Sequence, residues 1–471
     1  TGMTVILNLA SMSVTGILIL QHVRGIGPPP LIAALWLLLA MIPLVVFFGS
    51  LCLALSAFAR STAEGHYYMM PLFMVMMPLM FMPLLPDVKI NLGYSLIPVA
   101  GVVLLLRTLI EGDYAQAVPY VFPVAAVTIA CGWLSLRWAI EQFNSEAVLF
   151  REAEQVQPKL LLRSFLRNRG PTPSFNHAVA AAITVMYLNF AVSAAMPATS
   201  SLIIPLLVPQ TVFLVAGLVG AMLLTTNARR TLLLNVPRWW TVPAAMLLAA
   251  LLHPAVQWLG IAIQTVYQIP PEVMAELQAV EARLMALPLV QRLMLIALAP
   301  AVCEELVFRG FLLSGFRSQG REWRAIIITS VVFGMAHMML QQSLNAMFVG
   351  VVLGFIAVKT GSLLVPMTYH FCHNSIALMK ITPTTLTEQP WLSWLICPFS
   401  ELQETPFAGE VLQGLPLPPE ALVFRWQAVL LSVALSGLVL WAFSLTSPRD
   451  DGKDEIQDEP LDESNTQIPP G

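Results

Sequence analysis

The chain has 471 residues, of which 57% are hydrophobic and 11% are charged, with a mean hydropathy of +0.75 and a formal net charge of −3. This composition excludes an ordinary soluble globular protein and predicts a polytopic membrane protein. The charges are concentrated in loops and in the C-terminal tail, and no basic patch large enough for nucleic acid occurs. We therefore expect a lipid bilayer, and no nucleic acid, as a partner of this chain.

Apolar runs near bilayer-crossing length recur along the chain and predict an all-α transmembrane bundle of about thirteen spans. Roughly five of them precede a polar stretch and eight follow it. The predicted spans are 3–21, 31–59, 67–86, 92–106, 117–136, 178–196, 201–226, 241–268, 293–316, 325–340, 344–358, 362–380 and 424–444.

The polar, proline-containing stretch 141–177 separates two predicted membrane domains, 1–140 and 178–446. Basic residues cluster in this linker and then in every second connection, which places these segments in the cytoplasm of a plasma (inner) membrane protein. The same alternation places the acidic tail 447–471 in the cytoplasm, and we predict that this tail is disordered. The basic residues after the first domain include Arg151, Lys159, Arg163, Arg229, Arg230, Arg317, Arg321 and Lys359.

The first membrane domain carries a diffuse pattern without a catalytic motif. Its residues are Ser56-x-Phe58-x-Arg60-Ser61, Ile97-Pro98 and the leucines 104–106. The pattern resembles the membrane part of ABC-type export permeases of the sodium-efflux-permease-like group. The resemblance implies an upstream span and an extracytoplasmic domain that this sequence lacks. It also implies a separate ATPase subunit, because the chain has no Gly-x-x-x-x-Gly-Lys-Ser/Thr loop.

The segment 271–292 has apolar residues at helical spacing between acidic ones. This spacing predicts a helix outside the predicted spans. It is typical of an amphipathic helix on the membrane surface, and equally of a plain extracytoplasmic loop helix.

Two adjacent glutamates, Glu304 and Glu305, lie in the otherwise apolar segment 293–316. A carboxylate at membrane depth costs a few kcal/mol or more, so such residues are usually functional. Glu305 and Arg309 are four residues apart and can neutralise each other on one helix face. Glu304 is turned about 100° away and has no partner in its own helix. We interpret Glu304 as a general base, with a structural buried ion network as the alternative.

Two later spans add imidazole and amide groups. His337 closes the pattern Phe333-x-x-x-His337, and His370 and Asn374 share one helix face. A water held between Glu304 and His337, with hydrogen-bond donors from His370 and Asn374, would suffice for amide hydrolysis.

Two alternatives stay open for these polar residues. His373 is close in angle to His370 and could take its role, although the preferred assignment makes His373 a supporting or packing residue. Each His or Asn taken alone could also be an interhelical hydrogen-bond partner.

The three motifs Glu-Glu-x-x-x-Arg, Phe-x-x-x-His and His-x-x-x-Asn, in this order across successive helices, resemble the CAAX-processing and bacteriocin-processing family of intramembrane proteases. The resemblance covers 293–380 and implies a protease domain over 178–446. It implies a glutamate-dependent endopeptidase that cleaves a peptide or membrane-protein substrate. The implied roles are water activation by Glu304 with His337, an oxyanion hole of His370 and Asn374, and a supporting pair, Glu305 and Arg309.

No cofactor is predicted. Glu and His side chains could hold zinc, but the His-Glu-x-x-His motif is absent, so a catalytic metal is not favoured. The two resemblances together predict a protease coupled to an exporter-permease half. A non-proteolytic transporter subunit and a membrane scaffold remain as alternatives.

Overall fold

A computed structural model describes residues 31–57, 59, isolated positions between 65 and 80, 88–144, 169–195, 201–267, 269, 271–379, 390–398, 400–401 and 422–446. The described chain is mostly helical. The predicted span 3–21, most of the predicted span 67–86, most of the linker 141–177 and the tail 447–471 lie outside these residues.

The first membrane domain contains four described helices: α1 (Leu31–Ser56), α2 (Leu92–Ser95), α3 (Ala100–Ile110) and α4 (Tyr114–Phe143). α1 and α4 pack against each other, with a hydrogen bond of 2.5 Å between the buried hydroxyls of Ser50 and Ser135. The predicted span 92–106 is not one continuous helix, because the chain bends between α2 and α3. Pro98 cannot donate a helical hydrogen bond, and Val99 has a φ of +72°, outside the helical region.

Besides two 3₁₀-helices, Arg317–Gln319 and Pro390–Trp394, ten described helices of α or mixed α/π geometry follow α4. They are α5 (Phe175–Ala195), α6 (Ile203–Leu224), α7 (Ala228–Thr231), α8 (Thr241–Val266), α9 (Pro271–Met285), α10 (from Leu289 to Phe316), α11 (Glu322–Met335), α12 (Leu340–Thr360), α13 (Leu364–Leu378) and α14 (Trp426–Ser444). Six of the described helices are long and apolar enough to cross a membrane: α4, α5, α6, α8, α12 and α14. The predicted total of about thirteen spans is therefore not confirmed.

α10, which carries the glutamates, is a continuous helix of mixed geometry. It is α-helical at Leu289–Arg292, Ala299–Glu305 and Leu313–Phe316, and π-helical at Leu293–Leu298 and Leu306–Leu312. Every residue of the second π-helical segment is buried. Wide turns of this kind are concentrated at functional sites, because they change the direction of the side chains that flank them. The turn with both glutamates lies between the two π-helical segments.

Small residues allow the helices around α10 to approach closely. A Cβ atom at Gly217 of α6 would lie 3.1 Å from the backbone nitrogen of Val307. A Cβ atom at Gly334 of α11 would lie 2.5 Å from the carbonyl oxygen of Ser343 in α12. Such contacts drive helix association in a bilayer, where lipid removes most of the hydrophobic driving force.

Two features complete the second domain. The predicted helix within 271–292 is present as α9. Two short antiparallel strands, β1 (Ile396–Pro398) and β2 (Leu422–Phe424), form a small sheet that the all-α prediction did not include. The indole Nε1 of Trp258 in α8 donates a hydrogen bond of 2.7 Å to the Phe424 carbonyl. This bond fastens the sheet to the helical bundle.

Candidate active site

Glu304 lies inside the bundle, with only 7% of its surface exposed. The amide Nε2 of Gln210 in α6 donates a hydrogen bond of 2.9 Å to its Oε1. The Oε2 atom faces His370 of α13, with 4.0 Å between Oε2 and the imidazole Nε2. Both of these neighbours of the carboxylate come from other helices, α6 and α13.

Glu305 is fully buried, and its Oε1 atom has two partners. Arg309 Nη1 and His370 Nδ1 each lie 2.9 Å from this oxygen. An ionised carboxylate oxygen only accepts hydrogen bonds, so the Nδ1 atom of His370 carries the hydrogen. The contact with Glu305 thereby sets the tautomer of His370 and directs its Nε2 atom towards Glu304.

Arg309 is fully buried and connects three helices. Besides its ion pair with Glu305, its Nη2 atom donates a hydrogen bond of 3.3 Å to the Gly350 carbonyl of α12. Its guanidinium lies 4.1 Å from the centre of the Phe333 ring in α11. A planar cation can stack on an aromatic ring and bind oxygen acceptors with its edge at once, and here these contacts hold α10, α11 and α12 together.

His337 lies just after the end of α11, and its Nδ1 atom is 3.1 Å from the Phe333 carbonyl oxygen. The Phe333 ring contacts His337 edge-on, with centroids 5.1 Å apart, and its centroid lies 6.1 Å from that of His370. In the part of the chain that the structure describes, no hydrogen bond joins His337 to Glu304. The direct neighbour of Glu304 is thus His370, with Phe333 next to both imidazoles.

Asn374 lies one turn after His370 on α13. Its Nδ2 atom donates a hydrogen bond of 3.0 Å to the carbonyl of Ile296, in the first π-helical segment of α10. A primary amide has two N–H groups, so this contact leaves one of them for another acceptor. Asn374 therefore fixes α13 against α10 and retains one donor.

His373 faces a different part of the bundle from His370. Its ring stacks on Tyr369 with centroids 5.9 Å apart, and it lies 5.2 Å from the ring of His253 in α8. The alternative in which His373 replaces His370 does not fit this arrangement, since the two glutamates contact His370.

Two residues outside the sequence motifs also contact the site. They are Gln210 of α6 and Asn189 of α5, whose Nδ2 atom donates a hydrogen bond of 3.2 Å to the carbonyl of Ala336, next to His337. Each is an amide inside an apolar helix, where an unsatisfied polar group is costly. An amide in an apolar helix therefore predicts a hydrogen-bond partner on another helix, but the sequence does not say which residue that partner is.

The polar groups do not form a recognisable metal site. Among the described residues, no three His, Cys, Asp or Glu side chains are arranged to hold one metal ion. The prediction that no metal or other cofactor takes part stays a prediction.

The segment that carries the two glutamates and the later histidines is similar to a known protein family. Residues 286–376 match the family model described as type II CAAX prenyl endopeptidase Rce1-like. No curated protein and no solved structure matches the chain. The matched segment contains every predicted site residue: Glu304, Glu305, Arg309, Phe333, His337, His370, His373 and Asn374. The match and the apolar helices fit an integral membrane protein whose segment 286–376 is similar to a CAAX protease.

Proposed function

We propose that this chain is an intramembrane endopeptidase, in which Glu304 activates the water that hydrolyses a peptide bond. The observation that supports the proposal most directly is the buried series of contacts from Glu304 to His370, from His370 to Glu305, and from Glu305 to Arg309. A purely structural ion pair would need only Glu305 and Arg309. A general base needs a proton acceptor with room for a water beside it. The carboxylate of Glu304, which faces the imidazole of His370 across a gap, meets this requirement.

The gap between Glu304 and His370 suits the nucleophile. A distance of 4.0 Å between Oε2 and Nε2 is too long for a direct hydrogen bond. One water can bridge two such atoms, with a hydrogen bond to each. In the proposed reaction, the water oxygen attacks the scissile carbonyl carbon, and Glu304 takes the proton that the water releases. We assign His337 an assisting role, as the family resemblance implies.

His370 and Asn374 would then stabilise the oxyanion of the tetrahedral intermediate. Glu305 accepts the Nδ1–H of His370 and holds the ring with its Nε2 edge towards the site, where the proposed role requires an N–H at Nε2 when the oxyanion forms. Asn374 has a second N–H beyond the one bound to Ile296. When the C–N bond breaks, the proton held by Glu304 passes to the leaving nitrogen. The products are a new carboxylic acid and a new amine, and the acid then releases its proton to the amine or to water.

The substrate class and the setting are also part of the proposal. The family description is consistent with a peptide or membrane-protein substrate, of which a prenylated CAAX protein is one form. The plasma (inner) membrane as the location is proposed from the distribution of basic residues alone. The coupling to an exporter half remains a proposal from the resemblance of residues in the first domain. Co-purification of a separate ATPase subunit with the full chain would support it, and isolation of the chain without an ATPase from its native membranes would argue against it.

The test compares peptide termini in membranes and medium from cells that express the wild type, Glu304→Gln or Glu276→Gln at equal levels. Glu276→Gln is a matched control, because Glu276 is an exposed carboxylate on α9. The proposal predicts termini that occur with the wild type and the control and disappear with Glu304→Gln. Identical termini in all three would refute proteolysis and leave the transporter or scaffold.

A further inference from the structure

Gln210 lies on α6, outside the segment that matches the protease family. α6 contains no charged residue, and Gln210 is its one side-chain amide. An amide without partners costs several kcal/mol in the bilayer interior, whereas a leucine at the same place would cost nothing of this kind. The hydrogen-bond contacts of the Gln210 side chain therefore indicate why an amide, and not an apolar side chain, occupies this position.

Only one end of the Gln210 amide has a partner. Its Nε2 atom donates to Glu304 Oε1 at 2.9 Å. Its own Oε1 atom is buried and has no hydrogen-bond partner in the described chain. As the proposed general base, Glu304 is a carboxylate that only accepts hydrogen bonds, and the NH₂ group of the amide faces it accordingly. The amide is thus only half satisfied, and its donation to Glu304 is what distinguishes it from an apolar side chain.

The packing of α6 holds Gln210 in place. Gly217, two turns later on the same face, allows α6 to approach the backbone of Leu306 and Val307 in α10. Between these positions, Phe213 contacts Phe308 of α10, with ring centroids 5.5 Å apart. The face of α6 that carries Gln210 therefore lies along α10, and it brings the amide to the glutamate from a fixed direction.

This contact determines how the Glu304 carboxylate is oriented. Its two oxygens belong to one rigid, planar group, so an anchor on Oε1 also fixes Oε2, which faces His370. Without the anchor, rotation of the carboxylate would move Oε2 out of the 4.0 Å gap in which the proposed water lies. Small displacements of a catalytic group reduce rates strongly, because the reacting atoms must be aligned.

We propose that Gln210 is a positioning residue for the proposed protease reaction, and the inference rests on that proposed function. It holds Glu304 Oε1 so that Oε2 faces the nucleophilic water, and it does not bind the substrate. Gln210→Met removes the donor and keeps the side-chain length. This variant should lower kcat about 10- to 100-fold, in the range found for a lost charge-assisted hydrogen bond at a reacting group. Its KM should stay within about 2-fold.

The experiment uses purified full-length chain in liposomes and a peptide that spans the most abundant Glu304-dependent terminus. Gln341→Met is the matched control, because Gln341 also donates through its amide, to the Tyr267 carbonyl at 2.9 Å. The control should keep the wild-type kcat. Equal losses of kcat in both variants, or a wild-type kcat in Gln210→Met, would overturn the inference.

A second variant covers the case in which Gln210→Met does not fold. Gln210→Asn keeps the amide but shortens the side chain by one methylene, so the donor no longer reaches Glu304 Oε1 at hydrogen-bond distance. This variant should also lower kcat, with a KM within about 2-fold of the wild-type value. A wild-type kcat in folded Gln210→Asn would contradict the positioning role.

The two hypotheses can fail separately. Cleavage that depends on Glu304 but not on Gln210 would reject the positioning role alone. Termini that are identical in wild type and Glu304→Gln would reject the proposed protease, and the role of Gln210 with it.

Discussion

Replacement of Arg309 by methionine should destabilise the fold more than any substitution of an exposed arginine. Arg309 and Glu305 are both fully buried, with 2.9 Å between Nη1 and Oε1. Arg309→Met would leave the carboxylate of Glu305 in the bundle with only the Nδ1–H of His370 as a partner. It would also remove the hydrogen bond to the Gly350 carbonyl and the stacking on Phe333.

The magnitude follows from these contacts. Removal of one partner from a buried ion pair typically costs about 3–5 kcal/mol, because an uncompensated charge stays in a low-dielectric site. The remaining bond from His370 reduces this cost, while the lost Gly350 and Phe333 contacts raise it. We expect a loss of about 4 kcal/mol in the free energy of unfolding. The double variant Arg309→Met/Glu305→Gln should recover about 2 kcal/mol or more, because no unpaired charge remains.

The assay is unfolding in mixed detergent micelles, followed by tryptophan fluorescence. Arg107→Met is the matched control, since Arg107 and Glu111 form an ion pair at the same spacing with side chains 31% and 56% exposed. The control should lose less than about 1 kcal/mol. If Arg309→Met lost no more unfolding free energy than Arg107→Met, or if the double variant recovered none of it, this explanation of the buried ion pair would be refuted.

Three further predictions concern the surroundings of the glutamates. Gly217→Val should destabilise the chain by about 1–3 kcal/mol in the same unfolding assay, because its side chain would press on the backbone of α10. Asn189→Leu should lower kcat about 3- to 10-fold with KM unchanged, because it frees the carbonyl of Ala336 next to His337. His370→Phe should abolish peptide cleavage in liposomes, whereas His373→Phe should keep more than about a third of the wild-type rate, because the ring of His373 stacks on Tyr369 and does not contact the glutamates.

Each of these has a clear contrary result. Unchanged stability of Gly217→Val would mean that α6 and α10 are not closely packed. A rise in KM alone for Asn189→Leu would point to substrate binding and away from the turn at His337. Loss of activity in His373→Phe, with His370→Phe still active, would restore the alternative in which His373 is the functional imidazole.

Local spacing and composition were enough to predict several of the helices and the ion pair on α10. The apolar run 241–268 became α8 (Thr241–Val266), because bilayer-crossing length and apolar composition together specify a helix. The four-residue spacing of Glu305 and Arg309 produced the predicted contact, since this spacing places two side chains on one face.

Contacts between distant segments could not be predicted in this way. His370 and Glu305 are 65 residues apart, and nothing in their own helices indicates that Nδ1 meets Oε1. Gln210 is 94 residues from Glu304 and belongs to a helix without any motif. The break at Val99 could not be predicted from hydropathy either, because hydropathy reflects composition and not backbone geometry. The pairing of β1 with β2 joins two three-residue segments, which are too short to give an alternating pattern.

The central claim is that Glu304 activates a water for peptide-bond hydrolysis. Its most direct test uses purified wild type and Glu304→Gln in liposomes with ¹⁸O-labelled water and a peptide that spans a mapped cleavage site. The account predicts that the wild type cleaves the peptide and incorporates one ¹⁸O atom into the new carboxyl terminus, and that Glu304→Gln yields no cleavage. Equal cleavage by both proteins, or none by a folded wild type, would contradict it.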